Sequence, residues 1–325
     1  MAGDQKNQHP GGLTREHVVW AYRLLLDREP ESEDVIGPKL AGSRGTGDLR
    51  RHLMTSAEFQ DKNRDYAHTN DRTLVIKELD NAGNSDRSVR LFVDLADHVI
   101  GLNIVRGHYE LDEVRYMRSV LKAGDTTIDA GAHIGFFTMQ MASIVGPEGR
   151  VYAFEPVDAN ADLLERSIHE NQFADRIVFR RAAVGAATGT ATLTFPVETL
   201  NTGGAYLLRE GTPALAGNQK KDVPIVALDD MTIRRPVRFI KMDVEGAEPL
   251  VMTGAAALLR IDRPVVLSEL HPTQLERASG ASADAFLSAM HTIGYRAHVI
   301  ERGQVGAPLD RAPADALVSI VLLPM

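Results

Sequence analysis

The chain has 325 residues, 44% of them apolar and 25% charged, with a formal net charge of −8 and no cysteine. That length suits about two domains with a real core, and the acidic balance disfavours a nucleic-acid partner, which is gripped by clustered Lys and Arg. The missing thiols exclude disulfides, thiolate metal sites and a cysteine nucleophile, and they fit a reducing compartment.

Residues 1–12, MAGDQKNQHPGG, are polar with Gly and Pro, and read as a disordered tail without the apolar core of a signal peptide. No apolar run approaches the ~20 residues of a membrane helix, so the expectation is a cytoplasmic protein. A helical block follows. In LTREHVVWAYRLLLDREP, Val18, Val19, Tyr22, Leu25 and Leu26 recur at helical spacing, Thr14 suits an N-cap and Pro30 stops the run. Trp20 reads as part of the apolar face. After a Gly-rich connector, LRRHLMTSAEF predicts another helix, which makes residues 13–66 a small helical module.

From about residue 71 the pattern changes, and residues 71–325 read as one domain. SVRLFVDL and HVIGLNIV predict short strands, and YELDEVRYMRSVLKAGD a helix closed by Gly124. Strands TTID (126–129), RVYAFE (150–155), IVFRRAAV (177–184), RFIKMDVE (238–245) and VVLSE (265–269) then alternate with helices near 135–145, 158–172, 247–260 and 282–293. Such alternation predicts an α/β fold, a mostly parallel sheet with helices on both faces. At the end, YRAHVIE and ALVSIVLLP, joined by a loop, predict an antiparallel pair.

In such a sheet ligands bind beyond the carboxyl ends of the strands. The loop after TTID lies there, with Asp129, Gly131 and Gly135. The glycines let backbone approach a ligand, and the helix behind supplies free N–H groups. The spacing D-x-G-x-x-x-G is not the G-x-G-x-x-G of a dinucleotide loop; an acid there repels a diphosphate and suits an ammonium. Glu155 ends the second strand 20 residues past Gly135, where an acid holds a ribose diol. Together these point to S-adenosylmethionine, whose sulfonium and ammonium suit an acidic pocket.

IDAGAHIGFFT, FEPVDANADLLERSIHEN, IKMDVEGAEPLVMTGAAALL and VVLSELHP, in that order, resemble the FkbM family of S-adenosylmethionine-dependent methyltransferases over residues 85–325. The resemblance implies a class I methyltransferase (Rossmann-like) fold and O-methyl transfer to a hydroxyl of a sugar, polysaccharide or related natural product. It implies further cofactor contacts at His133, Ile134, Pro156 and Ala182. His133 stands where the family usually has Asn. The helical block is similar to a small domain of unknown function on bacterial glycan-assembly proteins, which leans the acceptor towards carbohydrate and offers a surface for a protein partner.

A sugar hydroxyl needs a base or a metal to take its proton. Candidates lie at the ends of the fourth and fifth strands: Asp243, Glu245, Glu269 and His271. His271 titrates near neutral pH and is the expected general base. Asp243 could shape the site and contact the cofactor, and Glu245 also suits the start of a helix. Asp243, Glu269 and His271 form an alternative donor set for Mg2+, although magnesium's preference for oxygen counts against His271. Two rivals are an inactive module that binds glycan or serves as a scaffold, and a nucleotide-sugar oxidoreductase, which the loop spacing opposes.

Overall fold

A computed structural model describes residues 13–26, 28–54, 56, 58–59, 74–79, 88–97, 99–196, 204–209, 211–314 and 316–325, so the expected tail at 1–12 lies outside the described residues. The chain divides into two compact units, residues 1–72 and 73–325.

In the first unit, helices α1 (Arg15–Leu26), α2 (Glu33–Ala41) and α3 (Thr46–Met54) enclose a core of Leu13, Val18, Val19, Tyr22, Leu26, Ile36, Leu49 and Leu53. Helix α2 was not anticipated, because Gly37 and Pro38 interrupt its pattern. Trp20 is not core: it is 61% exposed, with the Arg23 guanidinium 5.1 Å from its ring centroid. At 100° per residue it points about 200° away from both Val18 and Tyr22.

The second unit is the doubly wound, mostly parallel α/β sheet that the alternation predicts. Strands β3 (Thr126–Ala130), β4 (Arg150–Phe154), β5 (Ile177–Arg180), β10 (Val237–Met242) and β11 (Val265–Leu270) run parallel, in the order β5-β4-β3-β10-β11. Strand β14 (Val318–Pro324) adds antiparallel beside β11, followed by β12 (Tyr295–Glu301) and β13 (Gln304–Pro308). Strand β12 does pair with β14 as expected, with β13 between them in sequence rather than a bare loop. The chain goes outward from β3 to β5 and returns through β10 to the other side, so the switch point lies between β3 and β10, where such sheets bind ligands.

Residues of each strand alternate between two cores. Ile128, Phe154, Ile240 and Met242 face one that includes Val251, Leu258, Leu275 and Phe286, from α8 (Glu248–Gly254), α9 (Ala256–Asp262), α10 (Pro272–Ala278) and α11 (Ala283–Thr292). Phe239, Ala153 and Leu267 face the other, built by α5 (Leu111–Val120), α6 (Phe136–Val145) and α7 (Asp158–Glu170), with β1 (Leu74–Leu79) and β2 (Val89–Asp94).

Three readings change. HVIGLNIV is no strand: Asp97 accepts hydrogen bonds from the N–H groups of Val99 and Ile100, turning the chain into α4 (Gly101–Arg106). IVFRRAAV is broken at Arg181–Ala182 into β5 and a two-residue strand β6 (Ala183–Val184) of a different sheet. That second sheet, ordered β6-β9-β7-β8, contains β7 (Gly189–Pro196), β8 (Tyr206–Leu207) and β9 (Asn218–Val226). It was missed because its outer faces are polar and its core is small, with Leu193, Leu207 and Val223 at its centre.

Candidate active site

The loop after β3 is shaped by close approach. Gly131 has φ 84°, and a Cβ there would stand 1.8 Å from the Asp243 carbonyl oxygen, so only glycine lets the ends of β3 and β10 meet. Its amide and that of Ala132 both donate to the Phe154 carbonyl, which ties the loop to β4. His133 follows with φ 50°, a left-handed conformation in which Asn, Asp and His are the favoured non-glycine residues. Burial lowers the pKa of its imidazole, so it is held neutral.

Glu155 fastens this loop to the next one. Its Oε2 accepts from the His133 amide at 2.9 Å, and its Oε1 accepts from the Val157 amide at 2.9 Å and Asn160 Nδ2 at 3.2 Å. It is 4% exposed, and burial raises its pKa to about 7 against those three donors.

A cavity of about 430 Å3 opens over these loops. Gly131, His133, Glu155, Pro156, Ala182 and Asp243 line it, as do the expected reaction residues Glu245 and Glu269. Asp129 does not. Its side chain accepts from Thr138 Oγ1 and borders a smaller adjoining cavity of about 20 Å3 that shares Gly131, His133 and Asp243 with the first. Burial raises its pKa to about 6. Ile134 and Gly135 line neither cavity. Ile134 packs in the core, and Gly135 precedes α6 at φ 94°, where a Cβ would meet Leu164 at 2.5 Å. Their part is to shape the loop.

His271 is also off the cavity wall. Strand β11 ends at Leu270 and the chain turns at once into α10 with Pro272 in its first turn, which makes His271 the residue preceding that helix. Its Nδ1 is buried without a hydrogen-bond partner among the described residues. Three of the four residues expected to handle the proton therefore share the cavity, and His271 does not.

The three that remain form an acidic cluster. The Asp243 charge, with burial, raises Glu269 to about 8. Burial, then Asp243 and Glu269, raise Glu245 to about 9. Glu245 adopts φ 53° and accepts from Gln274 Nε2. Behind it Glu248 Oε1 faces the amides of Val244 at 3.3 Å and Gly246 at 3.4 Å, which fixes the turn, and burial raises its pKa to about 7.

Sequence reasoning missed Tyr109, Glu110 and Gln274 on the main cavity and Lys241 on the smaller one. Lys241 left a signal, a lysine within the apolar strand RFIKM of a buried parallel sheet. Tyr109 and Glu110 left none, since they belong to a segment that looks like a helix start. One oxygen each of Glu110, Asp243 and Glu269 lie within 4.8 Å of one another, a donor set able to hold a metal ion, whereas the expected ligand His271 is not in that group.

The family model described as the methyltransferase FkbM domain matches residues 129–297, just over half of the chain. No curated protein matches. Among solved structures, the chain is similar to the methyltransferase FkbM of Methylobacillus flagellatus at 15% identity and TM-score 0.40, over 94% of this chain and 58% of that one. It is similar to an S-adenosylmethionine-dependent O-methyltransferase of Thermotoga maritima at 16% identity and TM-score 0.39, over 74% and 76%. An rRNA methylase of Streptococcus thermophilus matches at 13% identity and TM-score 0.37, over 67% and 95%. The chain thus spans less than two thirds of the Methylobacillus protein's length. Among the described residues no helix is long and apolar enough to cross a membrane.

Proposed function

The chain belongs to the FkbM methyltransferase family, and from that premise we propose that it carries a methyl group from S-adenosylmethionine to a hydroxyl of a sugar, polysaccharide or related natural product. The observation that carries this reading is the single cavity on which Gly131, His133 and Glu155 meet Asp243, Glu245 and Glu269. The residues suit the cofactor. A wall of carboxylates favours a ligand bearing a sulfonium and an ammonium, and the glycine-bounded loop leaves backbone exposed where a side chain would intrude.

When bound, the cofactor supplies an electrophilic methyl group. The chain's residues bind, orient and take a proton. Glu155, at the end of β4, is the group for the ribose diol: Oε1 already accepts from Val157 and Asn160, and Oε2, which accepts from the His133 amide, keeps a site for a diol hydroxyl. Asp129 and Asp243 offer negative charge to the methionine end. Glu269 replaces His271 as the group that accepts the hydroxyl proton, since it lines the cavity and its raised pKa lies near the operating range of a general base. The carbohydrate part of the proposal leans on the resemblance of residues 13–66 to a domain of glycan-assembly proteins.

Calorimetry with S-adenosylmethionine tests the reading. The protein is expected to bind it one to one, and Glu155→Ala to weaken binding by about 1.5–3 kcal/mol, as for lost bonds to a charged group. A correctly folded protein that gives no binding heat, or a folded Glu155→Ala variant of unchanged affinity, would sink it.

A further inference from the structure

On the sheet face that packs against α6, apolar residues such as Val151, Ala153, Phe239 and Leu267 give way to charged ones beside the site. Lys241 is paired in register with Asp129 on the neighbouring strand, and its side chain is 2% exposed. Its Nζ lies 3.4 Å from Glu110 Oε2, 3.3 Å from Asp243 Oδ2 and 4.9 Å from the centroid of the Phe137 ring. Burial alone would lower its pKa, but the carboxylates of Asp243, Glu110, Glu269 and Asp129 raise it well above the ordinary value, so the group stays an ammonium.

Those acids come from four separate places: Asp129 on β3, Glu110 just ahead of α5, Asp243 just after β10, and Glu269 on β11. Glu110 is delivered by a left-handed backbone conformation, φ 41°, that non-glycine residues seldom adopt. Glu110 Oε2 has no hydrogen-bond partner among the described residues, and its close opposite charge is the Lys241 ammonium. Glu110, Asp243 and Glu269 together have the spacing of a divalent-ion site, yet the ammonium already stands against two of the three. An ion bridging Glu110 and Asp243 would share its donors with the ammonium and be repelled by it.

We propose that Lys241 is a positioning residue for the transfer reaction: its ammonium takes the place of a divalent ion in the Glu110–Asp243–Glu269 cluster, pins Glu110 and Asp243 against the cavity, and leaves Glu269 as the carboxyl that exchanges a proton. Lys241 acts through the acids it holds and lies on the smaller cavity rather than the main one. The role of Glu269 in turnover rests on the proposed function, but the electrostatic arrangement can be read in the cofactor-free protein.

The test is the titration of the Glu269 carboxyl by 13C NMR in glutamate-labelled protein, assigned with Glu269→Gln. An opposite charge within a few ångströms moves a carboxyl pKa by roughly one unit or more. Lys241→Met keeps the stem and removes the charge, so the Glu269 pKa is expected to rise by that amount. Lys241→Arg is expected to keep it near the wild-type value, and Glu110→Gln, which removes an acid, to lower it. The opposite signs guard against a general loosening of the site. Should Lys241→Met fail to fold, Lys241→Arg and Glu110→Gln still decide. Wild-type protein titrated with Mg2+ is expected to show no heat of binding, and activity is expected to survive chelation. The proposal is overturned if Glu269 titrates alike in the wild type and Lys241→Met or, where that variant does not fold, alike in the wild type and Glu110→Gln, or if the wild type binds Mg2+ through Glu110. Failure of cofactor binding with these shifts intact would instead indict the proposed function alone.

Discussion

Glu269 and His271 are two residues apart, and in an extended strand they would share a face. The strand ends between them, and only Glu269 reaches the cavity. Glu269→Gln is therefore expected to cut kcat by about 10²–10⁴, the usual share of general-base catalysis, with cofactor affinity within about threefold. His271→Asn is expected to turn over within a few-fold of the wild type. The kcat/KM of the wild type should rise with pH through a limb set by the Glu269 carboxyl, near 8 in the free enzyme, and the Gln variant should lose that limb. Steady-state kinetics of both variants across pH checks this, and a His271→Asn loss as large as that of Glu269→Gln would restore the imidazole as base. Which acids stand at strand ends was legible, because strand order and strand-end chemistry are written locally. Which of them faces the cavity was not, because that depends on where the pleat stops. The family's usual Asn at position 133 has a physical account too: the position needs φ of 50°, and His is among the side chains that tolerate it.

The loop between β3 and α6 is the element on which the candidate site depends. Its glycines were legible as a place of close approach, but what approaches was not. At Gly131 it is the backbone of Asp243. Gly131→Ala is expected to destabilise the protein by roughly 1–3 kcal/mol from the left-handed conformation alone, with a further cost for the 1.8 Å clash, and to abolish cofactor binding in whatever fraction folds. Thermal unfolding and calorimetry measure the two effects, and a variant of wild-type stability and affinity would show that the loop can move aside. Other elements were hidden for definite reasons. The Asp97 side chain, by capping two amides, made a helix out of an apolar stretch that reads as a strand. The insertion of β7, β8 and β9 carries Leu193 and Leu207 to the cavity, yet its polar outer faces give no clean alternation.

Over the whole molecule, the fold was legible because five apolar strands alternate with helices, whereas the burial of so many acids was not. Asp129, Glu155, Glu245, Glu248 and Glu269 all hold protons more tightly in the folded protein than free carboxyls do, with values of about 6, 7, 9, 7 and 8. A carboxyl whose pKa is raised by folding favours the folded state fully below its unfolded pKa. That favour is lost as pH rises through the folded value, since the folded protein then binds more protons than the unfolded chain. The ligand-free protein is thus expected to lose stability steadily between about pH 4.5 and about pH 9, with Tm falling by roughly 5 °C or more across that range. S-adenosylmethionine brings positive charge to the same acids, so the stabilisation it confers is expected to grow as pH rises, while S-adenosylhomocysteine, without the sulfonium charge, gains less. Scanning calorimetry of the free and loaded protein from pH 5 to pH 9 reads both trends. A Tm that stays level over this range without ligand would mean that the acids ionise at ordinary values, and one that climbs that they ionise below them; in either case the electrostatic basis of the site would have to be abandoned.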